Sequence, residues 1–297
     1  MTTQHCGSIA IIGRPNVGKS TLLNHLLGEK ISITCRKPQT TRHQILGIKT
    51  VGEAQYIFVD TPGMHENKKG AALNRYLNRA AFTALHDVNV VLWLIEPEWT
   101  ADEDWIFERL NTVEQPIVVA VNKVDALQNK SRLLPLIEQL TAKNRFATIV
   151  PLSAKTQEGL PELLTVLKQY LPEAPFQFAE DELTDKPVRF LVSEIIREKL
   201  MRFLGEELPY AVTVELENFK ESPRLCDISA MIYVERPSQK AIVIGEKGAK
   251  LKEIGTEARR DIEALLQKKV MLRLWVKVKE NWRDDERSLM SLGYGNP

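Results

Sequence analysis

Short, continuous apolar runs alternate with segments of helical spacing over the first 170 residues of the chain. The runs lie at residues 9–12, 56–59, 90–95, 117–121 and 148–150. The segments between them carry apolar residues three or four positions apart, such as Leu73, Leu77 and Ala81. Runs this uniform are typical of strands covered on both faces, and their alternation with helices is typical of a parallel sheet. The pattern therefore predicts an α/β domain with helices on both faces of a mostly parallel sheet.

A second unit with a different rhythm follows. Residues 171–187 contain three prolines and an acidic cluster, a composition typical of the boundary between two compact units. We therefore predict domains at residues 1–174 and 188–297, joined by a linker at residues 175–187. In the second unit the pattern predicts an α+β domain with the order α-β-β-α-α-β. Its segments lie at residues 188–204, 212–216, 228–234, 241–244, 251–265 and 270–278.

Composition and charge narrow the class of protein. The chain has 297 residues, enough for about two domains, with 40 Lys and Arg against 39 Asp and Glu. At a formal net charge of +1, any nucleic-acid surface must come from local segregation of charge. Cys6, Cys35 and Cys226 are far apart, so neither a disulfide framework nor a zinc site is expected, and a reducing cytoplasm fits.

The sequence also predicts a soluble protein. Its start lacks a basic region followed by an apolar region and a cleavage site, and no apolar run reaches the ~18 residues needed to span a bilayer. Attachment to a membrane surface stays open.

Residues 13–20 carry the strongest chemical signal. They follow the first predicted strand, precede a helix and fit the pattern G-x-x-x-x-G-K-[ST]. In such a loop the backbone N–H groups and the helix N-terminus hold phosphates, Lys19 reaches the β- and γ-phosphates, and Ser20 can ligate Mg²⁺. The predicted nucleotide-binding residues here are Gly13, Arg14, Pro15, Asn16, Val17, Gly18, Lys19, Ser20 and Thr21.

Three shorter motifs follow, each directly after an apolar run. They are Asp60, Thr61, Pro62 and Gly63; Asn122, Lys123, Val124 and Asp125; and Ser153 and Ala154. The Asp60 carboxylate can hold Mg²⁺ through water, and the Gly63 N–H can bind a γ-phosphate. Asp125 can accept from two N–H groups of a guanine edge, and a backbone N–H at Ser153 or Ala154 can meet guanine O6. Because the carboxyl ends of parallel strands meet at one edge of the sheet, the set predicts a guanine-nucleotide site there.

With these motifs in this order, the chain resembles the translation-factor-related P-loop GTPases. Together with the second unit and the stretch at residues 37–43, it resembles the Era family of bacterial GTPases over nearly its whole length. The resemblance implies a first switch at residues 39–43, with Thr40 or Thr41 as the ligand of Mg²⁺ and the γ-phosphate, and the sequence does not decide between the two. The implied catalytic residues are Lys19, Thr41 and Gly63, and the implied Mg²⁺ ligands are Ser20, Thr41 and Asp60.

Two positions bear on how GTP would be hydrolysed. Met64 stands where Ras-like GTPases carry a water-orienting glutamine. A thioether cannot orient water, so we expect slow intrinsic hydrolysis that needs another group, a cation or a partner. Asn16 resembles the asparagine of potassium-activated relatives, which implies K⁺ beside the β- and γ-phosphates. The alternative for Asn16 is a loop asparagine with only local hydrogen bonds.

The second unit carries a G-x-x-G loop at the start of a helix. Within the order α-β-β-α-α-β, this loop resembles that of a type II KH domain, which clamps the backbone of about four single-stranded nucleotides. Residues 236–279 hold 12 Lys and Arg but 5 Asp and Glu, a local excess of positive charge that favours RNA. The predicted RNA-binding residues are Gly245, Glu246, Lys247, Gly248, Lys250 and Lys252, with Lys240, Arg259 and Arg260 on the same side.

We therefore expect a GTPase switch in which GTP and Mg²⁺ order the loops near residues 39–43 and 60–64 and alter the access of the second domain to RNA. The resemblance implies that the RNA is the 3′ end of 16S rRNA, that the process is assembly of the 30S subunit, and that the protein contacts the cytoplasmic face of the inner membrane peripherally. A monomer that does not bind DNA is expected. The alternative is a constitutive RNA-binding scaffold with a structural, rarely hydrolysing nucleotide site. A P-loop ATPase or small-molecule kinase conflicts with the guanine motif at residues 122–125.

Overall fold

The computed structural model describes residues 3–35, 37, 39–66, 72–205 and 208–294. The strands are β1 (His5–Ile12), β2 (Ile45–Val51), β3 (Ala54–Asp60), β4 (Val90–Ile95), β5 (Ile117–Val121), β6 (Thr148–Pro151), β7 (Thr213–Glu221), β8 (Leu225–Val234) and β9 (Lys269–Val278). The helices are α1 (Lys19–Leu27), α2 (Ala72–Thr83), α3 (Ala101–Leu110), α4 (Leu133–Ala142), α5 (Leu160–Lys168), α6 (Val188–Phe203), α7 (Pro237–Ile244), α8 (Ala249–Leu266) and α9 (Glu286–Ser291). Short 3₁₀ turns lie at Val124–Ala126, Lys130–Arg132, Leu208–Ala211 and Glu246–Gly248.

The first domain is built on a six-stranded sheet in the order β2-β3-β1-β4-β5-β6. β1 pairs in parallel with β3 and β4, and parallel pairing continues through β5 to β6, which confirms the predicted mostly parallel sheet. The hydrophobic pattern did not predict β2, which pairs antiparallel to β3 with Ile45 opposite Asp60. Gly47 and Lys49 interrupt its apolar residues, so its own sequence is a weak strand signal and pairing with β3 decides its conformation.

Helices cover both faces of this sheet. Alternate residues of β1 point to opposite faces, so Ile9 packs in the core under α1 and α5, whereas Ile12 packs in the core under α3 and α4. All these side chains are shielded from solvent, and burying one leucine or isoleucine contributes about 1.5–3 kcal/mol. The two cores fix the loops at the carboxyl edge of the sheet, where the predicted motifs lie.

The predicted linker at residues 175–187 contains no helix or strand and lies along the first sheet. The buried Gln55 side chain accepts hydrogen bonds from the backbone N–H groups of Gln177 and Phe178 and donates one to the Phe178 carbonyl. The Ile48 N–H donates to the Leu183 carbonyl at 2.9 Å, so the linker covers part of the β2 edge. The linker is therefore anchored to the first domain.

The second domain has a three-stranded sheet in the order β7-β8-β9, with β7 antiparallel to β8 and β8 parallel to β9. Helices α6, α7 and α8 enclose one core with the inner face of this sheet, which includes Ile196, Ile228, Val243 and Ile262. The predicted order α-β-β-α-α-β is confirmed. The outer face of the sheet exposes Trp275.

The C-terminal segment of the described chain packs against the first domain. Trp282 and Tyr294 form a small apolar cluster with Leu73 and Leu77 of α2. The hydrophobic pattern predicted no element after residue 278, because no long apolar period marks the six-residue α9. Among the residues that the structure describes, no helix is both long and apolar enough to cross a membrane.

Candidate functional site

The loop between β1 and α1 ends at Gly18, where the backbone conformation and the surroundings require glycine. Gly18 has φ +109°, and a Cβ atom there would overlap the Asn122 side-chain amide. Asn122 follows β5 and donates its amide N–H to the Val17 carbonyl at 2.7 Å. The loop from β1 is thus tied to the end of β5, and two motifs 100 residues apart form one structure.

Lys19 lies inside this loop. Its ammonium donates to the carbonyls of Gly13 at 2.9 Å and Arg14 at 3.0 Å. Burial lowers the pKa of Lys19 to about 8, against the Asp60 carboxylate, which raises it. The side chain is therefore aimed into the loop that phosphates would occupy.

Three oxygen-bearing side chains meet beside Lys19. The Ser20 hydroxyl lies 2.9 Å from the Thr41 hydroxyl and donates to Asp60 Oδ2 at 3.0 Å. Thr41 Oγ1 is 3.5 Å from the same carboxylate oxygen. The other oxygen, Asp60 Oδ1, is buried without a hydrogen-bond partner in the described part of the chain. Mg²⁺ prefers hard oxygen ligands, so two hydroxyls and a carboxylate with one oxygen still unsatisfied fit the ion.

The structure distinguishes the two adjacent threonines. Thr41 faces Ser20 and Asp60, whereas the Thr40 hydroxyl turns away and donates to the Lys37 carbonyl at 2.6 Å.

Burial raises the pKa of Asp60, against the Lys19 charge and the hydrogen bonds from Ser32 and Ser20, which lower it.

The base side of the site lies at the ends of β5 and β6. Asp125 is exposed and accepts a hydrogen bond from the Ser153 hydroxyl at 2.7 Å. Both predicted partners of guanine O6 are engaged within the protein, since the Ser153 N–H donates to the Glu158 carbonyl and the Ala154 N–H donates to Asn122 Oδ1 at 2.8 Å. The residues lie together as predicted, but neither N–H group points freely to a base in this conformation.

Two adjoining cavities connect these groups. A cavity of about 840 Å³ is lined by Asn122, Asp125 and Ala154, together with Asn16 and Gly18 of the loop after β1. A smaller one, lined by Lys19, Ser20, Thr41 and Gly63 among others, shares Asn16 and Gly18 with it. The larger volume falls in the range of small-ligand sites, about 300–1,000 Å³.

The position after Gly63 does not face the site. Met64 is fully buried in the core under α3 and α4, and its N–H donates to the Gly13 carbonyl at 3.1 Å. Gly63 itself packs on Pro15. Asn16 has a left-handed backbone, with φ +64°, and lines both cavities.

Some contacts around the site could not be predicted from the sequence. Ser32 is buried and donates to Asp60 Oδ2 at 2.9 Å, and no motif marks it. Arg14 pairs with Glu96 at 3.1 Å and with Glu103 at 2.9 Å, which anchors the loop to the end of β4 and to α3. Charged residues this far apart in sequence could be paired only once the strand order was known.

In the second domain, the G-x-x-G loop is exposed. Gly248 has φ +81°, and a Cβ atom there would meet nothing within 4 Å. Lys247, with φ +48°, is exposed at the tip. Beside the loop runs a groove. It is lined by Gly248 of the loop, by Lys252 and Arg259 of α8, and by Leu272 and Leu274 of β9.

Not every predicted RNA residue faces this groove. Lys250 lies over the Phe203 ring and 3.8 Å from Glu253. Arg260 pairs with Glu257 at 2.6 Å. Gly245 and Glu246 form the first half of the G-x-x-G loop and do not line the groove. The structure thus brings together Lys252, Gly248 and Arg259 and separates Lys250 and Arg260 from them.

The segment that lines the phosphate side also contacts the second domain. The Thr34 N–H donates to Glu198 of α6 at 3.3 Å. The Lys37 ammonium donates to the carbonyls of Met201, at 2.6 Å, and Leu204 at the end of α6. The described residues of this segment, 33–35, 37 and 39–41, therefore lie between the cavities and α6.

Family models and relatives agree with this architecture. A model described as "50S ribosome-binding GTPase" matches residues 8–123, and one described as "KH domain" matches residues 207–283. The chain is 53% identical over 296 residues to the GTPase Era of Pseudomonas syringae pv. tomato, covering 99% of this chain and 98% of that protein. The chain belongs to the Era family of GTPases. Era of Pseudomonas aeruginosa PAO1 is 53% identical over 292 residues, covering 98% of this chain and 95% of that protein.

Solved structures of the Era family have the same fold over the full chain. Era in complex with MgGDPNP and nucleotides 1506–1542 of 16S ribosomal RNA superposes with a TM-score of 0.95 at 40% identity, over 98% of this chain and 99% of that one. A variant of Aquifex aeolicus Era bound to GDP·AlF4⁻ gives 0.94 at 40% identity, over 98% and 100%. The predicted P-loop GTPase domain followed by a KH domain is confirmed. As an Era-family member, the protein is a GTPase that hydrolyses GTP to GDP and phosphate.

Proposed function

We propose that this Era-family GTPase is a nucleotide-controlled switch that binds the 3′ region of 16S rRNA through its KH domain and acts in assembly of the small ribosomal subunit. One observation carries the proposal. Residues 33–35 and 39–41 line the phosphate-side cavity, and Thr34 and Lys37 of the same segment hydrogen-bond to α6, the first helix of the KH domain. A change at the γ-phosphate therefore has a direct physical route to the RNA-binding domain.

The nucleotide would lie with its phosphates in the loop of residues 13–20 and its base beside Asp125. Lys19 and the backbone N–H groups of the loop would neutralise the phosphates. Ser20, Thr41 and Asp60 would hold Mg²⁺, which offsets negative charge on the β- and γ-phosphates. We assign this role to Thr41 rather than Thr40, because the Thr40 hydroxyl is bonded to the Lys37 carbonyl.

A guanine contact at O6 needs a donor that the protein does not already use. The Ala154 N–H is bonded to Asn122 Oδ1 at 2.8 Å, so we infer that this bond opens when guanine enters. Asn122 would keep its second bond, to the Val17 carbonyl, and so still tie the base loop to the phosphate loop. Discrimination against adenine would come from Asp125, whose carboxylate needs two N–H donors from the base.

Hydrolysis would depend on a group other than Met64. Because this side chain is buried in the apolar core, it cannot reach a water at the γ-phosphate. Asn16 lines the phosphate-side cavity, which supports the prediction that K⁺ assists there. Equal turnover in KCl and NaCl would remove the potassium proposal and leave the rest intact.

The RNA would lie in the groove beside the G-x-x-G loop. Open space at Gly248 lets a ribose-phosphate approach the backbone, and Lys252 and Arg259 supply charge along the groove. The relative solved with nucleotides 1506–1542 of 16S rRNA supports the choice of RNA, since the chains superpose over 98% of this one. A cytoplasmic location, a monomeric state and peripheral contact with the inner membrane stay predictions.

Titration with RNA in each nucleotide state tests the proposal. The probe is a short single-stranded RNA carrying the 3′ terminus of 16S rRNA, added to full-length protein with GDP or a non-hydrolysable GTP analogue. We expect affinities that differ at least threefold between the two states, the order of a small allosteric coupling. Equal affinities would favour the constitutive scaffold, particularly if RNA also left GTP turnover unchanged.

A matched pair of charge reversals tests the groove. Lys247→Asp places aspartate at a left-handed position that it tolerates, and we expect at least tenfold weaker RNA binding. Lys277→Glu makes the same charge change on the exposed outer side of β9, and we expect binding within about twofold of wild type. Equal losses for the two variants would argue against the groove as the RNA site.

A further inference from the structure

Arg42, next to Thr41, reaches out of the GTPase domain into the KH domain. Its side chain is fully buried. The guanidinium donates to the carbonyls of Val212 at 2.8 Å, Tyr210 at 3.1 Å and Pro209 at 3.2 Å, all in the segment between α6 and β7. It also lies 6.0 Å from the centre of the Trp282 ring.

Burial of this charge is costly. In the described part of the chain its hydrogen-bond partners are three carbonyls and the Tyr294 hydroxyl at 3.5 Å, with no carboxylate among them, and its Nε has no partner. A buried guanidinium without a directly bonded acid loses hydration that carbonyl dipoles only partly replace. A hydrophobic residue would fill the same space without desolvating a charge, but it would leave the three carbonyls without their donor, so the arginine is explained by this contact and not by packing alone.

A second arginine holds the other side of Thr41. Arg197 of α6 is also buried and donates to the Thr40 carbonyl. Its guanidinium is fixed by two hydrogen bonds to Glu194, of 2.7 Å and 2.6 Å. The residue before Thr41 and the residue after it are thus both bonded to the KH domain by buried arginines.

Residues 40 and 42 contact the KH domain, whereas the side chain of Thr41 between them faces the nucleotide site. Its hydroxyl lies 2.9 Å from Ser20 and 3.5 Å from Asp60. Fixing residues 40 and 42 leaves little freedom for the backbone of residue 41. The position of the hydroxyl therefore depends on where the KH domain holds its neighbours.

We propose that Arg42 and Arg197 are positioning residues for GTP hydrolysis: they make the KH domain part of the scaffold that holds Thr41 at the nucleotide site. This inference rests on the proposed function, in which Thr41 acts on the γ-phosphate side. RNA binding that shifts α6 or the segment after it would move Thr41. By linkage, a nucleotide that holds Thr41 would favour the domain arrangement in which both arginine contacts form.

The test uses full-length protein with Arg42→Ala, Arg42→Lys and a control, Lys30→Ala. Lys30 pairs with Glu198 of α6 at 2.5 Å, so its loss removes a contact between the same domains without touching residues 40–42. The measurements are GDP affinity by calorimetry, GTP hydrolysis under steady-state and single-turnover conditions, and RNA affinity with GDP and with the GTP analogue. Thermal melting reports whether each variant folds.

For Arg42→Ala we expect hydrolysis to fall at least tenfold, with kcat and kcat/KM reduced together and GDP affinity within about threefold of wild type. The ratio of the RNA affinities in the two nucleotide states should fall toward one. Arg42→Lys keeps the positive charge but lacks the planar set of N–H donors that a guanidinium offers. We therefore expect partial recovery of the hydrolysis rate and of the ratio of RNA affinities. Lys30→Ala should match wild type within about twofold, because its partner Glu198 stays paired with Arg202.

Each outcome decides the matter. Wild-type hydrolysis and wild-type coupling in both Arg42 variants would overturn the inference while leaving the proposed function standing. Equal RNA affinity in both nucleotide states of the wild-type protein would defeat the proposed function instead. If Arg42→Ala fails to fold, Arg42→Lys decides, since wild-type kcat in that variant would overturn the positioning role.

Discussion

The two glycine loops of this protein both favour anions, but one is enclosed by the fold and the other is exposed. The loop at residues 13–20 is enclosed: Lys19 is buried, Gly18 packs on Asn122, and α1 begins directly behind it. The loop at residues 245–248 is open, with Lys247 exposed and free space at Gly248. Both lie at a helix N-terminus, where anions are favoured.

This difference in enclosure indicates how each ligand is recognised. An enclosed loop can organise many donors around one compact phosphate chain before the ligand arrives, which favours tight and selective binding. An open loop leaves room for a long polymer to slide in, and it relies on long-range charge. The sequence signals look alike, but only the surroundings of the glycines separate the two modes.

The largest expected effect comes from adding one methyl group to each loop. Gly18→Ala would push into the Asn122 amide, and we expect at least roughly 100-fold weaker GDP binding, or about 2.7 kcal/mol. Gly248→Ala meets open space and carries only the strain of a positive φ, about 1 kcal/mol. Calorimetry with GDP and thermal melting measure both. A loss of GDP affinity below about tenfold for Gly18→Ala would contradict the contrast between an enclosed and an open loop.

Removal of the base-reading carboxylate should have the next largest effect. Asp125→Asn replaces one carboxylate oxygen, an acceptor for the guanine edge, with an NH₂ group that donates, so we expect roughly 100-fold weaker GTP binding with RNA affinity of the apo protein unchanged. Competition of GTP against ATP gives the discrimination ratio. If the variant still prefers GTP by the wild-type ratio, Asp125 does not read the base.

Salt should separate the two loops. For an RNA held over about four phosphates, the slope of log affinity against log salt is about −3, which is roughly 60-fold between 50 and 200 mM. The enclosed nucleotide should lose less than about fivefold over that range, because buried pairs are screened less. Parallel titrations with RNA and with GDP check this. Equal slopes would contradict the contrast between an open and an enclosed loop.

The smallest effect distinguishes two adjacent arginines. Arg259 lines the groove, and we expect Arg259→Ala to weaken RNA binding about fivefold. Arg260 is paired with Glu257 and 72% exposed, so Arg260→Ala should change affinity less than about twofold. RNA titration of both variants sharpens the boundary of the RNA site. A larger loss at Arg260 would extend that site to the other side of α8.

Much of the fold could be predicted because the first sheet is parallel and covered on both faces. Its strands β4 and β5 are apolar throughout, so they are visible without any knowledge of their partners. β2 was not predicted because it is an edge strand whose conformation depends on β3. The six-residue α9 was missed for a similar reason, since its packing on α2 is a tertiary contact.

The candidate site divides in the same way. Motif residues such as Lys19 and Asp125 could be found from the sequence, since a strand end fixes where each motif must lie. The choice between Thr40 and Thr41 could not, because neighbouring threonines differ only in which way the chain turns. Nor could the contacts of Arg42, whose partners are backbone carbonyls about 170 residues away and carry no side-chain identity to read.

Trp282 gives the protein a built-in optical reporter. The indole is fully shielded, donates its N–H to the Ala211 carbonyl at 3.1 Å, and shares an apolar cluster with Leu73 and Leu77 of α2. That helix follows the segment that begins at Asp60. Any movement that separates α2 from the C-terminal segment admits solvent to the indole and shifts its emission to longer wavelength. A version with Trp282 as the sole tryptophan would thus report any such movement in real time without a label.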